Sequence, residues 1–183
     1  TTLPAVAKAH TPLTLDEKTS GVTISNDNIT MKFTTKGVVT SWVANGTQLT
    51  VPSSGGPEYA NFRWVENDSP TDPYYGSGYA TGNGISDRTA TFALADDGSR
   101  ATVTVEAQGT RCAYTLTYTI YDLGIVDVKC VFRPQNNDLR RIGLAMQMPG
   151  FYDDVTYYAN GPWANYVDRK TGSYLGLYST TVT

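Results

Sequence analysis

The sequence predicts an all-β protein, folded as an antiparallel β-sandwich or a barrel. Three observations carry that prediction. Apolar and polar residues alternate with a period of two in window after window. Turn-forming residues recur between those windows. No window holds the sustained i, i+3, i+4, i+7 stripe of an amphipathic helix. The aromatic complement agrees, with 13 Tyr and 3 Trp beside 5 Phe and 3 Met, because Tyr, Thr and Trp suit a pleated, half-buried surface. Tyr and Trp also suit contact with carbohydrate, since each joins a flat apolar face to a polar edge. Most of them are assigned here to the sheets.

Taken in order, residues 1–20 are rich in Thr, Pro and Ala and read as an irregular lead-in or linker from a preceding domain. Leu3-Pro4-Ala5-Val6 is compatible with an edge strand of that domain. Residues 21–183 read as the sandwich domain. Ile29, Met31 and Phe33 alternate with Asn28, Thr30 and Lys32. Val38 to Ala44 run into Asn45-Gly46, a strong hairpin-turn pair, and Thr47, Leu49 and Val51 follow it. Residues 66–87 break the rhythm with Pro70, Pro73 and four glycines around Tyr74, Tyr75 and Tyr79. Such a length is unusual for a plain connection. The segment fits an arm that meets a ligand or a neighbouring domain, and it fits a surface excursion equally well.

Alternation then resumes. Thr89, Thr91 and Ala93 interleave with Ala90, Phe92 and Leu94, and Asp96-Asp97-Gly98-Ser99 turns the chain into Ala101, Val103 and Val105. Cys112, Tyr114, Leu116, Tyr118 and Ile120 share one face, opposite Thr115, Thr117 and Thr119. Asp122-Leu123-Gly124 returns the chain into Val126, Val128, Cys130 and Phe132, and a further strand is expected over about Leu139 to Met148. Pairing about that turn sets Cys112 opposite Pro134 and Cys130 opposite Leu116. The thiols then stand about four residues, roughly 13 Å, apart along the strand at ~3.3 Å per residue. A disulfide needs Cα atoms within about 7 Å, so both are read as free core cysteines.

Composition narrows the function. The chain of 183 residues is 40% hydrophobic and 17% charged, enough apolar material for a folded core. The net charge of −3, with no run of Lys or Arg, argues against nucleic acid and anionic membranes as partners. No apolar stretch approaches the ~20 residues of a membrane span. Residues 1–10 lack the basic-then-apolar layout of a signal peptide. The compartment stays open between cytoplasm and an exported location. His10 is the sole histidine, which disfavours Ser-His-Asp and Cys-His machinery. No HExxH, CxxC, GxGxxG or P-loop pattern occurs, and neither a metal nor a cofactor is expected. Carboxylate pairs are thin too. Asp153 and Asp154 are adjacent, Asp96 and Asp97 lie in a turn, and Asp68 and Asp72 lie in the long segment, where solvated or turn-capping acids are the simpler reading.

The stretch Leu139-Arg140-Arg141-Ile142-Gly143-Leu144, then Tyr157 to Asn160, then Gly161-Pro162-Trp163-Ala164-Asn165-Tyr166-Val167-Asp168-Arg169 resembles the small-chain, C-terminal β domain (the fifth domain) of family 2 glycoside hydrolase β-galactosidases. There a P-R-I-G-L strand precedes G-P-x-E-N-Y-x-D-R. Gly161, Pro162, Asn165, Tyr166, Asp168 and Arg169 match, whereas Ala164 replaces the family's acid and Val167 a frequent proline. Gly21 to Ile24 leading into Met31-Lys32-Phe33 resembles the family's opening hairpin. Asn61-Phe62-Arg63-Trp64 resembles its N-F-W-R element with the last two residues exchanged.

The resemblance implies a galactose-mutarotase-like supersandwich that continues past Thr183, so the chain reads as a fragment with an incomplete site. It also implies a parent enzyme that hydrolyses terminal β-galactosides with retention, through two glutamates on a TIM-barrel domain that this chain does not carry. The partners implied are that catalytic barrel and, through the parent enzyme, a β-galactoside. Arg63, Asn67, Asp68, Tyr74 and Trp163 are the expected edge of the sugar site, and no catalytic residue is assigned. Gly161, Pro162, Asn165, Tyr166, Asp168 and Arg169 suit a structural corner, in which Asp168 and Arg169 make charge-assisted hydrogen bonds. For Trp163, sugar contact stands level with that structural role. The favoured function is a non-catalytic domain of a β-galactosidase, and the alternative is a free-standing carbohydrate-binding module. An aldose epimerase on the same fold would need histidine and glutamate acid–base groups, which the lone His10 disfavours.

Overall fold

The computed structural model describes residues 11–53, 55–60, 85–110, 112–135, 142–162 and 171–182. Among these residues all regular structure is antiparallel β, as a sandwich with no closed barrel. The chain divides into two units, residues 1–147 and residues 148–183.

The larger unit holds a five-stranded sheet and a four-stranded sheet. The first runs in order β1 (Thr14–Lys18), β2 (Gly21–Ser25), β3 (Ile29–Phe33), β4 (Val39–Ala44) and β5 (Thr47–Gln48). Val22 and Ile24 of β2 and Ile29, Met31 and Phe33 of β3 are buried, as their alternation requires. Asn45 and Gly46 both take positive φ, 49° and 77°, between β4 and β5, the primed-turn geometry that matches the twist of a two-residue hairpin. The strand beyond that turn is only two residues long, so Leu49 and Val51 continue outside it. The second sheet is ordered β10 (Val126–Pro134), β9 (Cys112–Tyr121), β8 (Arg100–Gly109), β7 (Ile85–Leu94). Its turns use Gly98 (φ 68°) and Gly124 (φ 78°), where the sequence placed them.

The core lies between the two sheets. Val103, Val105, Leu116, Tyr118 and Ile120 pack with Ile24, Met31 and Phe33. Phe33 bridges the layers, edge-on to Phe92 at 5.9 Å and to Tyr118 at 5.5 Å between ring centroids. The register pairs Cys112 with Pro134 and Cys130 with Leu116, as the hairpin geometry predicts. Both cysteines are free, Cys112 buried and Cys130 half-buried against the core.

Three expectations are corrected. Residues 85–87, expected to belong to the irregular segment 66–87, are strand, because β7 begins at Ile85 and pairs there with β8. The lead-in is not irregular throughout, because β1 pairs along its whole length with β2. Its residues Thr-Leu-Asp-Glu-Lys are mostly exposed and lack an apolar rhythm, so the neighbouring backbone defines this strand. The strand expected over Leu139 to Met148 covers Gly143–Ala145 (β11), paired with Glu58–Ala60 (β6). Leu139 to Arg141 lie outside the described residues, and residues 146–148 are not strand.

The smaller unit is a hairpin of β12 (Asp154–Gly161) and β13 (Tyr174–Thr181). Its aromatic pair is Tyr157 and Tyr178, directly opposite in register with ring centroids 5.5 Å apart.

Candidate functional site

Of the residues singled out in the sequence, Gly161 and Pro162 fall within the described residues. Arg63, Asn67, Asp68, Tyr74, Trp163, Asn165, Tyr166, Asp168 and Arg169 lie outside them, as does His10. Gly161 ends β12, and its peptide bond to Pro162 is cis. A β-carbon at Gly161 would stand 3.0 Å from the Tyr178 ring, and one at Gly176 would stand 3.2 Å from it. The two glycines thus make room for one tyrosine. The Tyr178 hydroxyl lies 2.9 Å from the Gly161 carbonyl and 2.7 Å from the Tyr174 carbonyl.

The structure also brings together a cluster that sequence reasoning missed. β6 ends at Ala60 and β7 begins at Ile85, so these two strands flank residues 61–84 in the chain. Arg88 of β7 shares the inward face with Ala90 and Phe92, opposite buried Ala107. A charge on a core-facing row needs a partner. Glu58 of β6 supplies it, accepting from Arg88 Nη2 at 2.7 Å, and the Tyr114 hydroxyl lies 2.9 Å from the same nitrogen. The side chains are 16% (Arg88) and 35% (Glu58) exposed. Burial disfavours the charge on Arg88, but Glu58 and Tyr114 outweigh it and hold its pKa above the ordinary arginine range. Burial pushes the Tyr114 hydroxyl up as well, and the Glu58 charge adds to the effect. Tyr59, next to Glu58, stacks on Tyr114 with centroids 5.8 Å apart. The signal available in the sequence was a lone arginine on an otherwise apolar alternating face. Its partners are 30 and 26 residues away, beyond any local pattern.

β7 carries a bulge between Ile85 and Asp87, which returns Ile85 to the core while Asp87 stays exposed. Facing it is the turn between β3 and β4. There Thr34 N–H donates to the Val38 carbonyl at 2.8 Å and Gly37 N–H to the Thr34 carbonyl at 2.9 Å. Between turn and bulge lies an open groove of about 530 Å³. Among the described residues its walls carry Lys36, Asp87 and Arg88 as charges, Thr34 and Thr35 as hydroxyls, and Val38 and Ile85 as apolar surface. No group of three or more His, Cys, Asp or Glu side chains among the described residues is placed to hold a metal.

Residues 25–183 match the family model of the beta-galactosidase small chain. The chain belongs to the β-galactosidase small-chain family. The family match takes in the first unit from residue 25, the whole second unit, the Arg88–Glu58 ion pair, the groove and Gly161. Over 197 residues the chain is 27% identical to a beta-galactosidase of Priestia megaterium, a match that covers 98% of this chain and 18% of that protein. It is 38% identical over 69 residues to a beta-galactosidase of Staphylococcus xylosus, covering 38% of this chain and 6% of that protein. The chain therefore spans less than a fifth of the length of these two relatives.

Proposed function

We propose that the chain serves as a non-catalytic domain of a β-galactosidase, supporting the sugar site and the contact with a catalytic TIM-barrel domain while hydrolysis of the terminal β-galactoside proceeds on that barrel. The observation that carries this reading is the small-chain family match across residues 25–183. The geometry of the ion pair supports it. The segment between β6 and β7 holds Arg63, Asn67, Asp68 and Tyr74, the sugar-site edge that the family resemblance implies. Its two flanking strands are joined to each other by the Arg88–Glu58 bond at 2.7 Å. Binding groups held between two strands need such a fixed base. Trp163 completes the proposed edge.

Two measurements test the reading. The chain alone is expected not to turn over a chromogenic β-galactoside. Turnover that survives purification and is lost on substituting one carboxylate of this chain would overturn the non-catalytic role. In a full-length β-galactosidase containing this domain, replacing Tyr74 to Gly84 with a short Gly-Ser link is expected to raise KM or lower kcat for lactose while the domain stays folded. Unchanged kcat and KM would remove the segment from the sugar site.

A further inference from the structure

The groove between the β3–β4 turn and the bulge of β7 belongs to none of the positions carried over from the family, and its chemistry can be read directly. We propose that it is a binding site for a neutral saccharide. Its volume of about 530 Å³ falls within the range of small-molecule sites, roughly 300–1,000 Å³. The charges at and behind its wall balance, with Lys36 and Arg88 against Asp87 and Glu58. Neither an anion nor a cation gains from such a set, whereas a neutral polyol does. Sugar hydroxyls both donate and accept. Lys36 and Arg88 donate, Asp87 accepts, and the hydroxyls of Thr34 and Thr35 do either. Val38 and Ile85 provide an apolar strip against which the C–H face of a pyranose can rest.

The groove is also prearranged. Arg88 is fixed by Glu58 at 2.7 Å and by Tyr114 at 2.9 Å, neither of which lines the groove. The opposite wall is closed by the Thr34 side chain, which accepts from the Val38 N–H at 3.1 Å. A prearranged site loses less on binding. The groove is open, and no aromatic ring is present among its described walls, so the affinity is expected to be on the order of millimolar. Binding here requires no catalytic partner and so stands apart from the enzymatic reading.

Amide-resolved NMR titration of the chain tests it, with lactose as the neutral probe and inorganic phosphate in a separate arm. Lactose is expected to produce saturable shifts centred on residues 34–38 and 85–88. Lys36→Met and Asp87→Asn, both at exposed positions, are each expected to weaken binding at least about fivefold while leaving the rest of the spectrum unchanged. Three outcomes would overturn the proposal: no localised shift at high-millimolar lactose, shifts that persist undiminished in both variants, or a response to phosphate in place of lactose, which would make the groove an anion site.

Discussion

At Gly37 the chain turns with φ of +77°, and a β-carbon there would lie 2.4 Å from Val105 Cγ2 and 2.9 Å from Ala90 Cβ. Both restrictions favour glycine, one through the left-handed backbone and the other through contact with the facing sheet. Overpacking of this kind costs about 1–3 kcal/mol, and the backbone strain of a left-handed non-glycine adds roughly 1 kcal/mol. Gly37→Ala is therefore expected to lower unfolding stability by about 2–4 kcal/mol, read from the urea midpoint. Gly46 is the built-in control. It also has φ of +77°, but a β-carbon added there would meet no atom within 4 Å, so Gly46→Ala should show the backbone part alone. A Gly37→Ala protein no less stable than Gly46→Ala would disprove the close-contact argument.

Among elements, the turns do more than reverse the chain. Asn26, between β2 and β3, accepts from the N–H groups of Asn28 and Ile29 at 2.9 and 3.0 Å. Its amide nitrogen donates to the carbonyls of Thr11 and Asp122, each at 2.6 Å. Asn28 Nδ2 reaches the same Asp122 carbonyl at 2.9 Å, and Asp122 N–H donates to Ser99 at 3.0 Å. Three turns from two sheets are thereby fastened at one end of the sandwich. The triplet Asn28-Ile29-Thr30, which matches a glycosylation signal in sequence, is occupied by this structural duty. Loss of a partly buried hydrogen-bond partner costs about 1–3 kcal/mol per group left unsatisfied. Asn26→Ala is expected to destabilise at or above that level, whereas Asn45→Ala at an exposed hairpin turn should cost less. Hydrogen exchange should show faster opening of β2 and β3 in the Asn26 variant, and uniform protection in both variants would count against the latch.

For the whole molecule, the sandwich keeps several ionisable groups neutral. Burial pushes the Cys130 thiol up to about 11, with a smaller contribution from Cys112. Burial likewise raises the hydroxyls of Tyr114 and Tyr118. Between the ordinary thiol value of 9.0 and about 11, the unfolded chain has lost the Cys130 proton and the folded chain has kept it. The unfolded state then binds fewer protons, so stability falls as pH rises. The contribution is complete below pH 9 and is lost as pH passes through the folded value, and the two tyrosines extend the loss in the same direction. The urea midpoint is expected to be level up to about pH 9 and to decline above it, less steeply in Cys130→Ala. A midpoint that rises over that interval would contradict the burial of these groups. At pH 8, Cys112 and Cys130 are expected to label slowly until denaturant is added.

The sequence by itself determined β3, β4 and the four long strands β7 to β10, because alternation and turn chemistry act over a few residues, while the family resemblance marked β2. Asn45-Gly46, Gly98 and Gly124 set the turns, and the turn after β9 fixed a register in which Cys130 faces Leu116. The family was legible for a similar reason, since Gly161, Pro162 and the residues after them form a contiguous pattern. The site was legible only in part, because the residues that the resemblance assigned to the sugar edge fall between the described strands. Tertiary structure decided the rest. β1 is a strand because β2 offers it a backbone edge, although its own side chains carry no apolar rhythm. Arg88 is tolerated on the core face because Glu58 and Tyr114, remote in sequence, arrive beside it. Gly37 is demanded by a valine 68 positions away, Val105 of the facing sheet. Local patterns encode where a strand runs and which way its faces point. Which strand lies opposite, and therefore which charge is matched and which groove is left open, emerges only when the two sheets close on each other.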